Sequence, residues 1–220
     1  MSPVKVPGFL PSTSGFHFPN SFPSAPALML GPIGIGNASN GLCGGMAFAA
    51  LDLRAAGRTP PPDTIPPAPG SPWFRYLVSR LLASWGLPLG GLRYLLWTVL
   101  PDRDLGPLHG VAARTRRHWR KVRTGLDAGR PVALGVVRIR SWNLLKVGLN
   151  HQMVAYGCDD APAGSVRVLV YDPNHPDRDD IGITLPLDGV PGTAPMGYLP
   201  AELPVRGFFV TRYRPRTPPP

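Results

Sequence analysis

The hydrophobic pattern of this chain changes its period once, near residue 130. Before that point apolar residues recur at helical spacing, as they do over 108–128, whereas after it they alternate along short runs such as 131–139 and 166–172. Helices followed by strands with hairpin-length connections are typical of an α+β fold with an antiparallel sheet. We therefore expect the first half of the chain to supply helices that pack against a sheet formed by the second half.

Start and stop signals bound the predicted elements. Ser39 or Asn40 can cap the first helix and Gly57 can end it, while Pro72 suits the first position of the second helix. The predicted helices span 42–56, 72–85, 92–100 and 108–128. The predicted strands span 131–139, 151–158, 166–172, 181–185 and 207–213.

Prolines mark the extended parts of the chain. There are 30 prolines in 220 residues, and they concentrate near the N-terminus, around residues 60–72 and at the C-terminus. The N-terminal segment is also a candidate for a pro-segment that lies over a cleft. The predicted divisions are an extended N-terminal segment (1–36), a folded domain (37–214) with a helical lobe (37–128) and a sheet lobe (130–214), and a proline-rich tail (215–220).

Cysteine usage and hydropathy exclude several protein classes. Two cysteines make no disulfide framework, and no Cys/His cluster has the spacing of zinc ligands, so we predict neither a metal nor another cofactor. The N-terminus has no apolar core of signal-peptide length, and the run YLLWTVL is too short to span a bilayer. We expect a cytoplasmic protein without a transmembrane segment, or one exported by a route that needs no cleavable signal.

Basic residues concentrate in the middle of the chain. From Arg75 to Lys146 there are 14 Lys and Arg against Asp102, Asp104 and Asp127, which gives this segment a charge of +11 within a total of +10. Such a surface attracts nucleic acid, anionic lipid or acidic substrates, and it is also typical of an arginine-rich solvated face. The 75–146 segment is therefore a candidate surface for an anionic partner.

One cysteine stands at the predicted start of a helix. Cys43 lies in SNGLCGGMAFAALDL and is followed by Gly44 and Gly45. A thiol at a helix N-terminus feels the positive end of the helix dipole, which favours the nucleophilic thiolate. The two glycines leave room either for a substrate or for close packing. A free cysteine is more often a packed core residue, which is how we interpret Cys158.

A predicted hairpin brings a histidine and an aspartate together. If Gly157 pairs with Val166, then His151 pairs with Asp172, because the residue numbers of both pairs have the same sum. Directly opposed residues of an antiparallel pair lie on the same face, about 5 Å apart at Cβ. A carboxylate beside an imidazole holds the ring and stabilises its charged form. With Cys43, these residues form a candidate set for nucleophilic catalysis.

The set resembles the papain-like cysteine peptidase superfamily, in which a cysteine at a helix start is followed by a histidine and then an aspartate or asparagine on strands. The motifs CGG and NHQMVAYG…VYDPNHP are most similar to the peptidases that trim double-glycine leader peptides in bacteriocin processing. The resemblance implies a papain-like fold and a bacterial thiol protease. It also implies that Cys43 is the nucleophile, His151 the base and Asp172 the residue that orients it.

The resemblance leaves parts of the site open. The family places an oxyanion glutamine about six residues before the nucleophile, where this chain has Asn37, with Asn40 nearer to the cysteine. Asn174 is the alternative third member of the set. The acidic loop 172–180 can be considered as a Ca²⁺ site, although it lacks the glycine and closing glutamate of an EF-hand loop. Gln152 is expected to face away from the histidine that precedes it.

Two classes of function remain open at this stage. The leading hypothesis is a cysteine-dependent peptidase or amidase that acts on a peptide, protein or other amide or ester substrate through a thioester intermediate. Acyltransferase chemistry would use the same residues. The alternative is a catalytically inactive papain-like binding module that holds an anionic partner on its basic face.

Overall fold

The computed structural model describes residues 2–24, 26–30, 33–38, 41–86, 90–161, 164–187, 196–199 and 205–220. All four predicted helices are confirmed, and a short helix precedes them. The helices are α1 (Pro11–Ser14), α2 (Cys43–Ala55), α3 (Pro72–Ser84), α4 (Gly90–Val99) and α5 (Val111–Asp127). Leu42, rather than Ser39 or Asn40, occupies the cap position of α2, and Ser39 and Asn40 lie outside the described residues.

The five predicted strands are present with shifted ends, and the described residues form four further strands. The strands are β1 (Val4–Lys5), β2 (Pro26–Leu30), β3 (Ile33–Asn37), β4 (Val132–Val137), β5 (His151–Ala161), β6 (Ser165–Tyr171), β7 (Gly182–Pro186), β8 (Gly197–Leu199) and β9 (Gly207–Val210). A short 3-10 helix (Leu144–Leu149) lies between β4 and β5.

The sheet is antiparallel, as the change of hydrophobic period predicts. Its strand order is β8-β7-β6-β5-β4-β9, with β1 paired to β5, and β2 and β3 form a separate hairpin. Every pairing described within the sheet is antiparallel. The described part of the chain therefore has a mixed helix and strand architecture of the α+β class.

The helices bury the faces that their periodicity predicts. On α5 the buried face contains Val111, Thr115, Trp119, Val122 and Leu126, and the arginines lie on the other faces. By contrast, α2 is buried on all sides from residue 44 to residue 53. A helix that is apolar all round belongs in the interior of a domain, so α2 lies between the sheet and the other helices.

The N-terminal segment is part of the packed structure. Val4 pairs with Cys158 of β5, and Phe9 belongs to the same buried cluster as the sheet. Phe16 and Phe22 pack in a second cluster with α2 and α3. Because these side chains are core residues, we expect removal of this segment to unfold the protein rather than to uncover a cleft.

A buried ion pair fastens the C-terminal tail to the helices. Asp52 of α2 and Arg80 of α3 approach to 2.6 Å, and both side chains are almost completely buried. Tyr76 and Tyr213 donate their hydroxyl groups to the same carboxylate, at 2.8 and 2.9 Å, and the backbone N–H of Arg216 donates at 2.8 Å. A buried charge needs this many partners to offset its lost hydration.

Replacing Asp52 with alanine should therefore destabilise the protein strongly. The change leaves the Arg80 guanidinium buried without its anion, and we expect a loss of about 3–5 kcal/mol in the free energy of unfolding, measured by urea denaturation. The matched control is Asp63→Ala in the exposed loop before α3, which should change stability by less than about 0.5 kcal/mol. Equal effects of the two changes would contradict this interpretation of the ion pair.

Candidate active site

Cys43 occupies the first position of α2. The preceding residue, Leu42, donates its backbone N–H to the side-chain oxygen of Asn20 at 2.5 Å, and the N–H of Met46 bonds the Leu42 carbonyl oxygen at 2.9 Å. The first N–H groups of a helix have no partner within the helix, so they create a positive potential at this end. The half-buried thiol therefore lies at the positive end of the helix.

The two glycines after Cys43 are explained by close packing. A Cβ atom on Gly44 would lie 2.5 Å from the amide nitrogen of Gln152 and would overlap the hydroxyl of Ser84. A Cβ atom on Gly45 would overlap the backbone carbonyl oxygen of Leu77. Of the two explanations considered from sequence, packing is the one that these contacts support, because α3 and β5 already occupy the space beside both glycines.

His151 begins β5 and is buried. Its Nε2 atom lies 2.6 Å from Oδ1 of Asp172, and its ring also shares a hydrogen bond with Cys43. Because Nε2 is used by the carboxylate, Nδ1 is the ring nitrogen available to the sulfur. Burial alone would lower the pKa of His151, but the charges of Asp172 and Cys43 and the hydrogen bonds to them raise it to about 10.

Asp172 follows β6 and is held by three donors. Besides His151, the backbone N–H of Asn174 donates to its Oδ1 at 2.8 Å, and the hydroxyl of Tyr198 donates to its Oδ2. Burial would raise the pKa of Asp172, yet the charge of His151 and these hydrogen bonds lower it to about 2. The carboxylate is thus held in its charged form beside the imidazole.

The strand register differs from the predicted one. Gly157 pairs with Leu169, not with Val166, so the hairpin is longer than predicted and the direct pairing of His151 with Asp172 is wrong. Near the site Val154 pairs with Tyr171. Continuing that register by one residue sets Asp172 opposite residue 153, which is two positions from His151 on the same strand. The contact between the Asp172 carboxylate and the His151 ring therefore runs diagonally across one face of the sheet.

A β-bulge in β5 makes this contact possible. The register shifts by one residue between Ala155 and Gly157. Since successive side chains of a strand point to opposite faces, an unshifted register would place Asp172 on the face opposite to His151. The extra residue is Tyr156, whose hydroxyl donates to the Asp179 carbonyl oxygen at 2.7 Å and whose own carbonyl accepts from the N–H of residue 6 at 2.8 Å.

Asn174 lies beside the set but does not take the place of Asp172. Its backbone holds that carboxylate, while its side-chain oxygen accepts a hydrogen bond from the Asn20 amide at 3.1 Å. Asn20 also caps α2 through Leu42, so one asparagine connects the loop after β6 to the start of α2. Sequence analysis missed this asparagine, since FPNSFP has no recognisable catalytic spacing.

The predicted oxyanion residues cannot be placed. The side chain of Asn37 and all of Asn40 lie outside the described residues. Two other polar groups lie near the start of α2 instead. Gln152 donates its amide to Ser84 at 2.8 Å, while its side-chain oxygen is buried without a hydrogen-bond partner among the described residues.

The second of these groups is the hydroxyl of Tyr94 on α4. It is buried, it has no partner among the described residues, and it lies 2.6 Å from where a Cβ of Gly135 would stand. Gly135 is the direct partner of Gln152 in the sheet. Burial, and after it the charge of Cys43, raises the pKa of Tyr94 well above its ordinary value. The sequence offered no signal for this tyrosine.

The remaining candidates have structural contacts. Cys158 is buried, and burial raises the pKa of its thiol. In the acidic loop Asp177 contacts His17 at 2.6 Å, and Asp179 accepts a hydrogen bond from the Ser12 hydroxyl at 2.7 Å. Within the described ranges no group of three or more His, Cys, Asp or Glu side chains could hold a metal ion.

Comparison with protein-family models, with curated proteins and with solved structures finds no match to this chain. Among the described residues no helix is long and apolar enough to cross a membrane.

The pH dependence of stability provides a test of the buried ion pair between His151 and Asp172. The pKa of His151 lies above its ordinary value of 6.5, so its contribution is complete below pH 6.5 and is lost as the pH rises toward about 10. The pKa of Asp172 lies below its ordinary value of 3.8, so its contribution is present above pH 3.8 and is lost as the pH falls toward about 2. We expect the pair to stabilise the protein most between pH 3.8 and 6.5.

The measurement is the free energy of unfolding from pH 2 to pH 10 for the wild type and for the double variant His151→Gln/Asp172→Asn. The difference between the two proteins should be largest inside that window and should shrink on both sides. A difference that does not depend on pH would contradict a charged pair.

Proposed function

We propose that this chain is a cysteine-dependent hydrolase of papain-like architecture that cleaves peptide or other amide bonds. The observation that supports the proposal best is the continuous chain of contacts from the thiol at the start of α2, through the His151 imidazole, to a carboxylate held by three donors. A cysteine with only a packing role needs neither a base hydrogen-bonded to its thiol nor a carboxylate that orients that base, whereas a nucleophilic cysteine uses both.

The proposed reaction uses two acyl transfers. The Cys43 thiolate attacks the carbonyl carbon of the substrate, and the His151 imidazolium gives its Nδ1 proton to the departing amine, which leaves a thioester on the sulfur. The neutral imidazole then takes a proton from water as the water oxygen attacks the thioester. The carboxylic acid leaves, and the thiolate and imidazolium are restored. Asp172 keeps the ring oriented and stabilises its positive charge in both steps.

The oxyanion of each tetrahedral intermediate needs donors near Cys43. The N–H groups in the first turn of α2 are the first candidates, since they form the positive end of the helix. The Tyr94 hydroxyl is the second, because it is buried without a partner among the described residues and the charge of Cys43 contributes to its raised pKa. Asn37 and Asn40 stay predictions from the sequence.

Alkylation of the thiol tests the proposed nucleophile. At pH 6 iodoacetamide should modify Cys43 much faster than the buried Cys158, because only the former has an imidazolium partner. His151→Ala should slow the Cys43 reaction at this pH by about tenfold or more, while leaving Cys158 unchanged. The two rates can be read from the same sample by mass spectrometry of the two cysteine peptides, so that Cys158 serves as the internal control.

Turnover then tests the reaction class. A panel of fluorogenic peptide amides, including peptides that end in Gly-Gly, should be cleaved by the wild type and not by Cys43→Ala. Asp172→Ala should lower kcat by about 10²- to 10⁴-fold. Equal alkylation of both cysteines, together with no cleavage of any amide, would overturn the proposal.

Tyr94→Phe separates a role in the reaction from a role in packing. The hydroxyl has no partner to lose among the described residues, so we expect the free energy of unfolding to stay the same or to rise by up to about 1 kcal/mol. If the hydroxyl serves the oxyanion, kcat should fall by about tenfold or more with little change in KM. Tyr213→Phe, which removes a hydroxyl bonded to Asp52 near the other end of α2, is the control. A Tyr94→Phe enzyme with unchanged kcat would exclude the oxyanion role.

A second candidate function is a papain-like binding module that holds an anionic partner. It is favoured by the basic 75–146 segment, because six of its basic residues lie on α5, a helix that the proposed reaction does not use. A Cys43 that alkylates no faster than Cys158 at pH 6 would favour this function over hydrolysis.

A further inference from the structure

Exposed apolar side chains are concentrated in the same part of the chain as the positive charge. Seven of the ten large hydrophobic residues that are exposed in the described ranges lie between positions 85 and 149. These seven are Trp85, Leu92, Leu96, Leu105, Leu108, Trp142 and Leu149. The same stretch holds twelve Lys and Arg side chains and three acidic ones. A surface that combines both properties marks an interaction site more strongly than scattered exposed leucines do.

One part of this surface is a groove between α4 and α5 with a volume of about 480 Å³. Leu92 and Leu96, one turn apart on α4, supply its apolar side, and α5 supplies Arg114, Arg117 and Lys121. Arg117 and Lys121 are exposed and form no ion pair with any residue that the structure describes. The α4 wall of the groove is therefore mainly apolar, with Arg93 as its cation, and the α5 wall is positively charged.

The positive potential in the groove is visible in a neighbouring histidine. Burial, and after it the charges of Lys121, Arg93 and Arg114, lowers the pKa of His118 to about 4. The Nδ1 atom of this ring accepts a hydrogen bond from the Val210 N–H at 3.1 Å, as a neutral imidazole does. The cations of α4 and α5 thus act together on the groove.

The acidic residues of this stretch do not offset these cations, because each of the three already contacts a basic side chain. The contacts are Asp102 with Arg206 at 2.7 Å, Asp104 with His109 at 3.2 Å and Asp127 with Arg123 at 2.8 Å.

The other part of the surface is the loop between β4 and β5. Trp142 is 82% exposed and Leu149 is 57% exposed, and the side chains of Arg140 and Lys146 are exposed beside them. An indole with this exposure is unusual on a protein surface and is typical of groups that enter the interface of a membrane.

Hydrogen bonds join the loop to the end of α4. Ser141 donates its N–H to the Thr98 carbonyl oxygen at 3.3 Å, and the Asn150 amide donates to the Thr98 hydroxyl at 2.9 Å. Arg206 donates to the carbonyl oxygens of Thr98 and Ile139 at 3.2 and 2.6 Å. These bonds hold the loop against Thr98, which is two residues from Leu96 of the groove. The groove and the loop together are called the amphipathic basic surface (α4, α5 and residues 138–150).

We propose that the amphipathic basic surface docks on a bilayer that contains anionic phospholipids. Its Lys and Arg side chains would contact the headgroup phosphates, and Trp142, Leu149, Leu92 and Leu96 would enter the interfacial region. Nucleic acid would use the cations but gives exposed leucines no apolar environment. The leucines therefore favour a lipid surface, with nucleic acid and an acidic peptide as the competing outcomes of the test.

The position of the surface relates it to the candidate active site. The loop 138–150 leads directly into His151, and Val136 at the end of β4 pairs with that histidine. A bilayer bound to the loop part of the surface would therefore lie near the end of the sheet that holds His151. The docking proposal does not depend on catalysis, and a Cys43→Ala protein should bind vesicles as the wild type does.

The experiment is flotation of the full chain with vesicles of phosphatidylcholine, with and without phosphatidylglycerol. We expect binding only when the anionic lipid is present, with an affinity that falls as salt is added. Arg117→Gln/Lys121→Gln should weaken binding by about 30-fold, and Trp142→Ser/Leu149→Ser by about tenfold. All four positions are exposed, so these variants should fold, which circular dichroism can verify.

The matched control is Arg58→Gln/Ile65→Ser, which removes one exposed cation and one exposed apolar side chain from the loop before α3 and should leave binding unchanged. The proposal is overturned if the protein does not float with anionic vesicles. It is also overturned if Trp142→Ser/Leu149→Ser binds them like the wild type, or if an oligonucleotide or an acidic peptide releases the protein from them at equal phosphate or carboxylate concentration.

Discussion

The close approach of the first turn of α2 to α3 and β5 determines where the candidate nucleophile lies. Glycine at positions 44 and 45 allows the helix backbone to contact the Leu77 carbonyl and the Gln152 amide directly. A helix that lay even one methyl group farther away would carry Cys43 away from the start of β5. The thiol, the histidine and the buried tyrosine of α4 all depend on this contact, although none of them forms it.

Both ends of the chain hold α2 in this position. Asn20 of the N-terminal segment caps the helix at Leu42 and binds Asn174 in the loop after β6. At its other end Asp52 binds Arg80 and the backbone of the C-terminal tail. Segments that look like proline-rich extensions in the sequence thus act as supports for the helix that carries the thiol.

The candidate site and the amphipathic basic surface share a border but use different physical properties. The site depends on buried charged groups that each have hydrogen-bond partners inside the protein, as the Asp172 carboxylate has. The surface depends on cations such as Arg117 that lack ion-pair partners among the described residues and on exposed indole and leucine side chains. Charge that is paired inside the protein stabilises a fixed geometry, whereas charge left on the surface is available to a partner.

Local spacing in the sequence was sufficient to predict the α+β class, the four main helices and the buried face of α5. Cys43, His151 and Asp172 were also named from the sequence, but the pairing that joined the last two used a strand register that is wrong. Helical and strand periods depend only on which neighbours share a face, so they can be read without a tertiary structure. The bulge in β5 could not be predicted, because nothing in the sequence near Tyr156 distinguishes a paired residue from an extra one. This bulge changes the face of the sheet on which Asp172 lies. Asn20, Tyr94 and Tyr198 meet the site only through long-range packing, so their contributions were decided by the tertiary structure alone.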